Sequence, residues 1–275
     1  MAFNKSLGQN FLIDSEVLER IVDGVQPSDS ILEVGAGLGV LTGRLLEITP
    51  EVTAIEFDRK LAKYLEKNTS AKIIHEDVLK CDLAGIVAEN SVNKIIANLP
   101  YYITSPIIMR ILEELRTADG RPYIDSAKLM VQYEVAKRIV AKEGSKDYGI
   151  LSIACQYYAD CELLFKVPSS SFLPAPKVDS AVVELKIRKM QTPAGDAGTP
   201  FEKGALVKSD KDDFFRLVKA AFAQRRKTFV NSVSNTLGVE KAALEGHLKK
   251  IGRPANIRAE QLSIEEFDRL AEFLF

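Results

Sequence analysis

The sequence predicts an α/β fold, a parallel sheet covered by helices on both faces, followed by a small all-helical C-terminal domain. Three observations predict it. Short β-rich runs alternate with longer helical patterns between about residues 29 and 132. Those runs are apolar nearly throughout, as burial on two faces demands. Past a turn-rich stretch that begins at Gln191, the periodic segments are all helical. With 275 residues, 46% of them hydrophobic, the chain can bury the core of one large or two modest domains.

The strand candidates of the alternating part are residues 30–34, 52–57, 72–75, 94–97 and 128–132. Helical patterns at 40–47, 59–67 and 105–116 fall between several of them. A helical stretch follows around 149–159. Residues 161–167 and 181–188 are then linked by a proline-punctuated segment and suit a hairpin-like pair that finishes the sheet. Residues 191–200 are small, polar and rich in turn formers, which is linker chemistry. Helical periodicity returns at 212–223, 227–236, 240–250 and 263–273. The expected organisation is a sheet-bearing domain at 1–190, a linker at 191–210 and a helical domain at 211–275.

Composition narrows the chemistry. Three cysteines without CxxC spacing suggest neither a disulfide framework nor a zinc site. Two histidines, His75 and His247, stand far apart, so no metal centre and no histidine triad is expected. No apolar window has bilayer-spanning length, and the first residues lack a signal-type apolar core, so a cytoplasmic protein is expected. Nothing demands more than a monomer. The net charge of −1 hides an asymmetry: residues 211–258 hold eleven basic and four acidic side chains, residues 259–275 one basic and five acidic. A basic stripe on a neutral whole suits nucleic acid at one face.

The loop Glu33-Val34-Gly35-Ala36-Gly37-Leu38-Gly39 lies between a predicted strand and a predicted helix. Glycine lets backbone turn sharply and approach a ligand where a Cβ would collide. The dinucleotide fingerprint needs its third glycine where this chain has Val40, and the loop offers no lysine or arginine for phosphate. A G-x-G-x-G loop after an acid instead suits S-adenosylmethionine, whose amino-acid end presents an ammonium and a carboxylate. Gly35, Gly37 and Gly39 are therefore candidate cofactor residues. Glu56, closing the next strand, can accept both ribose hydroxyls, and Asp77, after the third, can accept from an adenine amine, with Phe57 and Val78 beside the ring. Glu33, Glu56 and Asp77 thus share the carboxyl edge of one sheet, where ligands bind in open α/β folds.

Asn98-Leu99-Pro100-Tyr101 follows an apolar strand. An adenine amine is a poor nucleophile because its lone pair is delocalised into the ring. Two acceptors, the Asn98 side-chain oxygen and the Leu99 carbonyl, could draw on its two hydrogens and favour a pyramidal geometry. Pro100 fixes the turn. Tyr101 offers a ring for stacking, worth about 1–3 kcal/mol per base. In Ser171-Phe172-Leu173-Pro174-Ala175-Pro176-Lys177-Val178-Asp179-Ser180 two prolines stiffen a loop, and an exposed Phe172 could sandwich the base against Tyr101. Asn98, Leu99, Tyr101 and Phe172 are the candidate catalytic residues. Arg225, Arg226 and Lys227 would grip RNA backbone, with salt-sensitive affinity.

With these motifs in this order, the chain resembles the bacterial small-subunit (16S) ribosomal RNA adenine dimethyltransferases. The resemblance runs through Leu7-Gly8-Gln9-Asn10-Phe11-Leu12, the glycine loop, Ile55-Glu56-Phe57-Asp58, Glu76-Asp77-Val78-Leu79, Asn98-Leu99-Pro100-Tyr101 and the Phe172 loop. It extends to Ala221-Phe222-Ala223-Gln224-Arg225-Arg226-Lys227-Thr228. It implies a Rossmann-like class I methyltransferase sheet, S-adenosylmethionine as cofactor, and dimethylation of two adjacent adenines near the 3′ end of 16S rRNA in an immature small subunit. It implies that Asn10 and the Leu12 backbone close over the cofactor, and it ties Gly35, Glu56, Asp77 and Asn98 to cofactor roles. The alternatives are a large-subunit (23S) rRNA methyltransferase of the antibiotic-resistance type and a non-catalytic assembly factor.

Overall fold

The computed structural model describes residues 10–117, 120–189, 207–224 and 226–275. They form two compact units, one of residues 10–137 with 158–189, the other of residues 138–157 with 207–275. The second unit therefore takes in a segment that the sequence reading grouped with the sheet. The expected linker falls mostly outside the described residues.

In the first unit, β1 (Phe11–Leu12) precedes α1 (Ser15–Val22). Asp14 caps α1, accepting from the amides of Glu16 and Val17 at 3.1 and 3.2 Å. Strand and helix then alternate: β2 (Ile31–Val34), α2 (Val40–Leu46), β3 (Val52–Ile55), α3 (Arg59–Asn68), β4 (Lys72–Ile74), α4 (Leu83–Glu89), β5 (Lys94–Asn98), α5 (Thr104–Glu114) and β6 (Ser126–Gln132). The sequence reading did not foresee α4. It is seven residues long, and its start is set by Asp82 accepting the Gly85 amide at 2.9 Å. Within α6 (Tyr133–Val140) the chain enters the second unit, which holds α7 (Ile150–Tyr158) up to Tyr157, and then returns to the first with β7 (Ala159–Val167), β8 (Phe172–Leu173) and β9 (Ser180–Ile187).

The sheet order is β4-β3-β2-β5-β6-β9-β7. The first five strands are mutually parallel, while β9 runs antiparallel to both β6 and β7, the pair that completes the sheet. Every residue of β2 and β3 is buried, which accounts for their apolar or small character everywhere but at Glu33. The chain moves outward from β2 through β3 to β4, then returns to β5 and proceeds to β6. Right-handed crossovers in opposite directions put the connecting helices on opposite faces and leave a crevice above β2 and β5. Gly35 leaves β2 there, and Asn98 ends β5 there.

The second unit has α8 (Lys211–Phe222), α9 (Phe229–Leu237), α10 (Lys241–Lys250) and α11 (Ile264–Leu274). Phe214, Phe229 and Phe267 form its wholly buried centre. Tyr157 of α7 packs on Phe214 and Phe215 with ring centroids 5.1 and 4.9 Å apart, which explains why residues 138–157 belong to this unit. Among the described residues no helix is long and apolar enough to cross a membrane, and no cluster of three or more histidine, cysteine or carboxylate side chains could hold a metal.

Candidate active site

A cavity of about 360 Å³ opens at the carboxyl edge of the sheet. The turn out of β2 forms its floor. Gly35 has φ of +77°, and a Cβ there would stand 3.7 Å from Pro100, so glycine loop and Asn98–Tyr101 turn lie side by side. At Gly37, φ of +60° is joined by a ring: Phe11 Cε1 would be 3.0 Å from an added Cβ. Phe11 therefore lies over the glycine loop. The sequence reading missed it because two residues are too short a strand to show alternation.

Three acids meet this floor. Glu33 is buried within β2 and accepts from the Thr42 hydroxyl at 2.6 Å. Burial pushes its carboxyl up to about 8, against the Thr42 bond and with the Glu56 charge adding. Glu56 spans the loop: one oxygen accepts the Gly37 amide at 2.8 Å, the other the Asp58 amide at 2.8 Å. Burial raises its pKa too, and the two amide bonds oppose the rise. Asp77 accepts the Leu79 amide at 3.0 Å and lies 3.4 Å from the Lys80 ammonium. Glu33, Glu56 and Asp77 all line the cavity, as do Phe57 and Val78.

On the opposite side stands the turn after β5. The Asn98 amide nitrogen donates to the Asn10 carbonyl at 3.2 Å, leaving the side-chain oxygen for another donor. The Leu99 amide is held by the Met130 carbonyl at 3.1 Å. Among the described residues neither Asn98 Oδ1 nor the Leu99 carbonyl receives a hydrogen bond. Tyr101 begins a 3₁₀ turn, Tyr101–Ile103, and its hydroxyl shares a 2.6 Å hydrogen bond with the buried Ser180 hydroxyl. Burial raises the Tyr101 pKa and that bond opposes the rise, so the ring is a neutral, anchored wall. Asn98, Leu99 and Tyr101 line the cavity together with Asn10 and Leu12.

Three expectations require correction or fall outside view. Phe172, expected exposed opposite Tyr101, is 2% exposed and packs in the core with Leu12. β1 and β8 pair antiparallel, Leu12 opposite Phe172 and Phe11 opposite Leu173. Alternation therefore turns Leu12 and Phe172 to one side, Phe11 and Leu173 to the other. Gly39 does not line the cavity. It caps α2 at φ of +79°, and a Cβ would collide with Leu65 Cδ2 at 2.6 Å, so its glycine serves turn and packing. Arg226 and Lys227 are exposed, while Arg225 lies outside the described residues, as do Leu7, Gly8 and Gln9. Ser180 and Thr42 were not foreseen as site residues; each is a buried polar side chain, one opening β9 and the other within α2.

The chain as a whole has known relatives. The family model for ribosomal RNA adenine dimethylases matches residues 1–274. The chain belongs to that family. Within the adenine dimethylase family it is 45% identical over 282 residues to Ribosomal RNA small subunit methyltransferase A of Alkaliphilus metalliredigens, covering 98% of this chain and 91% of the relative. The protein of the same description from Shouchella clausii is also 45% identical, covering 98% and 89%. Among solved structures, a dimethyladenosine transferase from Plasmodium falciparum shares the fold with a TM-score of 0.75 at 24% identity, over 94% of this chain and 95% of that one. The 23S rRNA methyltransferase ErmE superposes with a TM-score of 0.64 at 25% identity, over 96% and 99%. The family's α/β methyltransferase fold with a helical C-terminal region is the one found here, and the chain is an rRNA adenine dimethyltransferase.

Proposed function

We propose that the chain uses S-adenosylmethionine to dimethylate N6 of two adjacent adenines in the 3′-terminal hairpin loop of 16S rRNA, within an immature small ribosomal subunit. The observation that carries this reading is the pair of acceptors, Asn98 Oδ1 and the Leu99 carbonyl, that receive no hydrogen bond among the described residues and lie beside a glycine loop.

The residues fit the cofactor. Gly35 and Gly37 leave room that a Cβ would fill, and the carboxylates of Glu56 and Asp77 face the same cavity. Glu56 is the group to take the ribose hydroxyls and Asp77 the adenine amine. Gly35 and Gly37 would admit the amino-acid end, with Glu33 below, and Asn10, Leu12 and Asn98 would close the near side. When bound, S-adenosylmethionine supplies an electrophilic methyl on a sulfonium.

The protein's part is then alignment and polarisation. In the first transfer Asn98 Oδ1 and the Leu99 carbonyl accept the two amine hydrogens, and in the second one of them accepts the single hydrogen that is left, which favours a pyramidal nitrogen with its lone pair directed at the methyl. The Asn98 carboxamide is held beforehand by the Asn10 carbonyl, and the Leu99 amide by the Met130 carbonyl, so little reorganisation is needed. Tyr101, fixed by Ser180, presents a ring for stacking. No strong base is required, because the nitrogen proton becomes acidic once the methyl is attached. Proximity supplies most of the remaining acceleration. The target adenine must be unpaired or drawn from its stack to reach this depth. Arg225, Arg226 and Lys227 would hold the RNA backbone.

The deciding experiment is methyl transfer from labelled S-adenosylmethionine to unmethylated small-subunit particles and, separately, to large-subunit RNA, with nucleoside analysis. Dimethyladenosine from small-subunit particles alone is the expected result. Label in large-subunit RNA would transfer the reading to that substrate, and label in neither would leave the fold standing and reopen the substrate.

A further inference from the structure

Arg110 stands two turns into α5, the helix that begins directly after the Tyr101–Ile103 turn. Its guanidinium donates from Nη1 to the Val78 carbonyl and from Nη2 to the Cys81 carbonyl, the latter at 2.9 Å. Glu114, one turn further along, accepts from Nε at 2.7 Å and also from Nη2, which fixes the guanidinium plane. The Arg110 side chain is only 18% exposed. A planar cation with five N–H donors thus directs four of them to backbone carbonyls of another loop and to the carboxylate that orients it.

The gripped segment is the turn after β4. Its own bonds are few and local: the Asp77 carbonyl accepts the amides of Lys80 and Cys81 at 2.8 and 2.9 Å, and the Asp77 carboxylate that of Leu79. Asp77, Val78 and Leu79 form one wall of the cavity. Val78 lines that wall, and its carbonyl is held by Arg110.

We propose that Arg110 is a positioning residue for the adenine end of the cofactor. It holds the 77–81 turn against α5, so that the Asp77 carboxylate and the Val78 side chain meet the ring at a fixed spacing from the Asn98–Tyr101 turn at the start of the same helix. The proposal rests on the reading that this cavity takes S-adenosylmethionine. A lysine cannot replace the arginine: its ammonium is a point donor, and reaching two carbonyls and a carboxylate at once needs the planar fork.

The test uses the full chain and two probes, S-adenosylhomocysteine and 5′-methylthioadenosine, which keeps adenine and ribose but lacks the amino-acid end. Calorimetric titration of the wild type, Arg110→Lys and Arg110→Met should show both ligands weakened by the same factor. We expect about tenfold for methionine and less for lysine. In methyl transfer, KM for S-adenosylmethionine should rise with kcat little changed, and the Leu79, Lys80 and Cys81 amides should exchange faster. Wild-type affinity for both probes in Arg110→Met would overturn the proposal, as would a loss confined to S-adenosylhomocysteine. Should the methionine variant not fold, Arg110→Lys decides by the same criteria. A wild type that binds neither probe would overturn the cofactor reading itself, before any variant is compared.

Discussion

Two loops were expected to clasp the target base from opposite sides, and they have turned out differently. The Asn98–Tyr101 turn leaves the central strand β5 at the topological switch point and presents its acceptors to the cavity. The Phe172 loop presents its largest ring to the core, in the company of Leu12, Val167 and Val182. Both are proline-containing and both look, residue by residue, like a binding loop. The difference is that β5 has its position set by parallel neighbours on both sides, whereas β8 takes its facing from a two-residue pairing with β1. Stiffness decides how firmly a side chain is held. Strand register decides which way it points.

The strongest way to break this contrast is Phe172→Ala. Truncating a buried phenylalanine costs about 3–5 kcal/mol through lost packing and the cavity left behind. The expected result is a denaturation midpoint lowered accordingly, with kcat retained at temperatures where the variant is folded. Intact stability with a collapsed kcat would restore Phe172 as a stacking platform.

Asn98→Ala addresses the other loop. Removing one preorganised group that polarises the reacting centre lowers kcat by about 10²–10³-fold in comparable sites. Asn98 also ties the N-terminal segment through the Asn10 carbonyl, so some loss of cofactor affinity should accompany the fall in kcat. A kcat within a few-fold of wild type would remove the carboxamide from the chemistry.

These two predictions show where the sequence was legible. Strand and helix order, the glycine turn and the acids Glu33, Glu56 and Asp77 could be read because each follows from local pattern: an apolar run with an acid within it or just past its end, and at Glu33 a glycine turn soon after. The facing of Phe172 could not, since it depends on pairing with Leu12, some 160 residues away in sequence. Neither could Phe11 over Gly37, nor the Tyr101–Ser180 bond. Gly39 misled for a related reason. Glycine is needed there by the turn and by Leu65, and local pattern cannot separate that need from a ligand's.

Glu56→Gln sharpens the contrast on the cofactor side, where, unlike at Asn98, the polar atoms are already engaged. The carboxylate accepts from Gly37 and Asp58 and is assigned to the ribose hydroxyls. An amide can offer one acceptor oxygen but turns a donor toward the other partner. The expected outcome is roughly 10- to 100-fold weaker S-adenosylhomocysteine binding, from hydrogen bonds to a charged group worth about 1.5–3 kcal/mol. A KM effect larger than the kcat effect would separate this side of the site from the Asn98 side.

Glu33 makes the same distinction through pH. Its carboxyl, pushed up to about 8 by burial, is protonated in the folded protein at neutral pH and ionises in the unfolded chain near 4.5. The folded state holds the extra proton, so this group's contribution makes stability fall as pH rises from about 4.5 to 8. A cationic ammonium arriving beside Glu33 favours the ionised form and displaces the proton. Cofactor affinity should therefore climb with pH by up to about tenfold per unit below that pKa, and binding should release protons into the buffer. Titrations in buffers of different ionisation enthalpy measure the release directly. Glu33→Gln should abolish both the slope and the release; a slope that survives the substitution would assign it to another group.

The smallest effect tests the anchoring that distinguishes Tyr101 from Phe172. Both rings are held, Phe172 by burial on every side, Tyr101 by one hydroxyl bond to Ser180 with its ring left along the cavity. Tyr101→Phe keeps the stacking surface and removes that bond, leaving the buried Ser180 hydroxyl without its partner. A neutral hydrogen bond is worth about 1 kcal/mol net, so kcat/KM should fall about fivefold, through a ring that is present but less well aimed. Ser180→Ala should give a similar loss, and the double variant little more than either single one, because the two substitutions delete one interaction. Additive losses would mean that Ser180 and Tyr101 act separately, and that the ring is oriented by the turn alone.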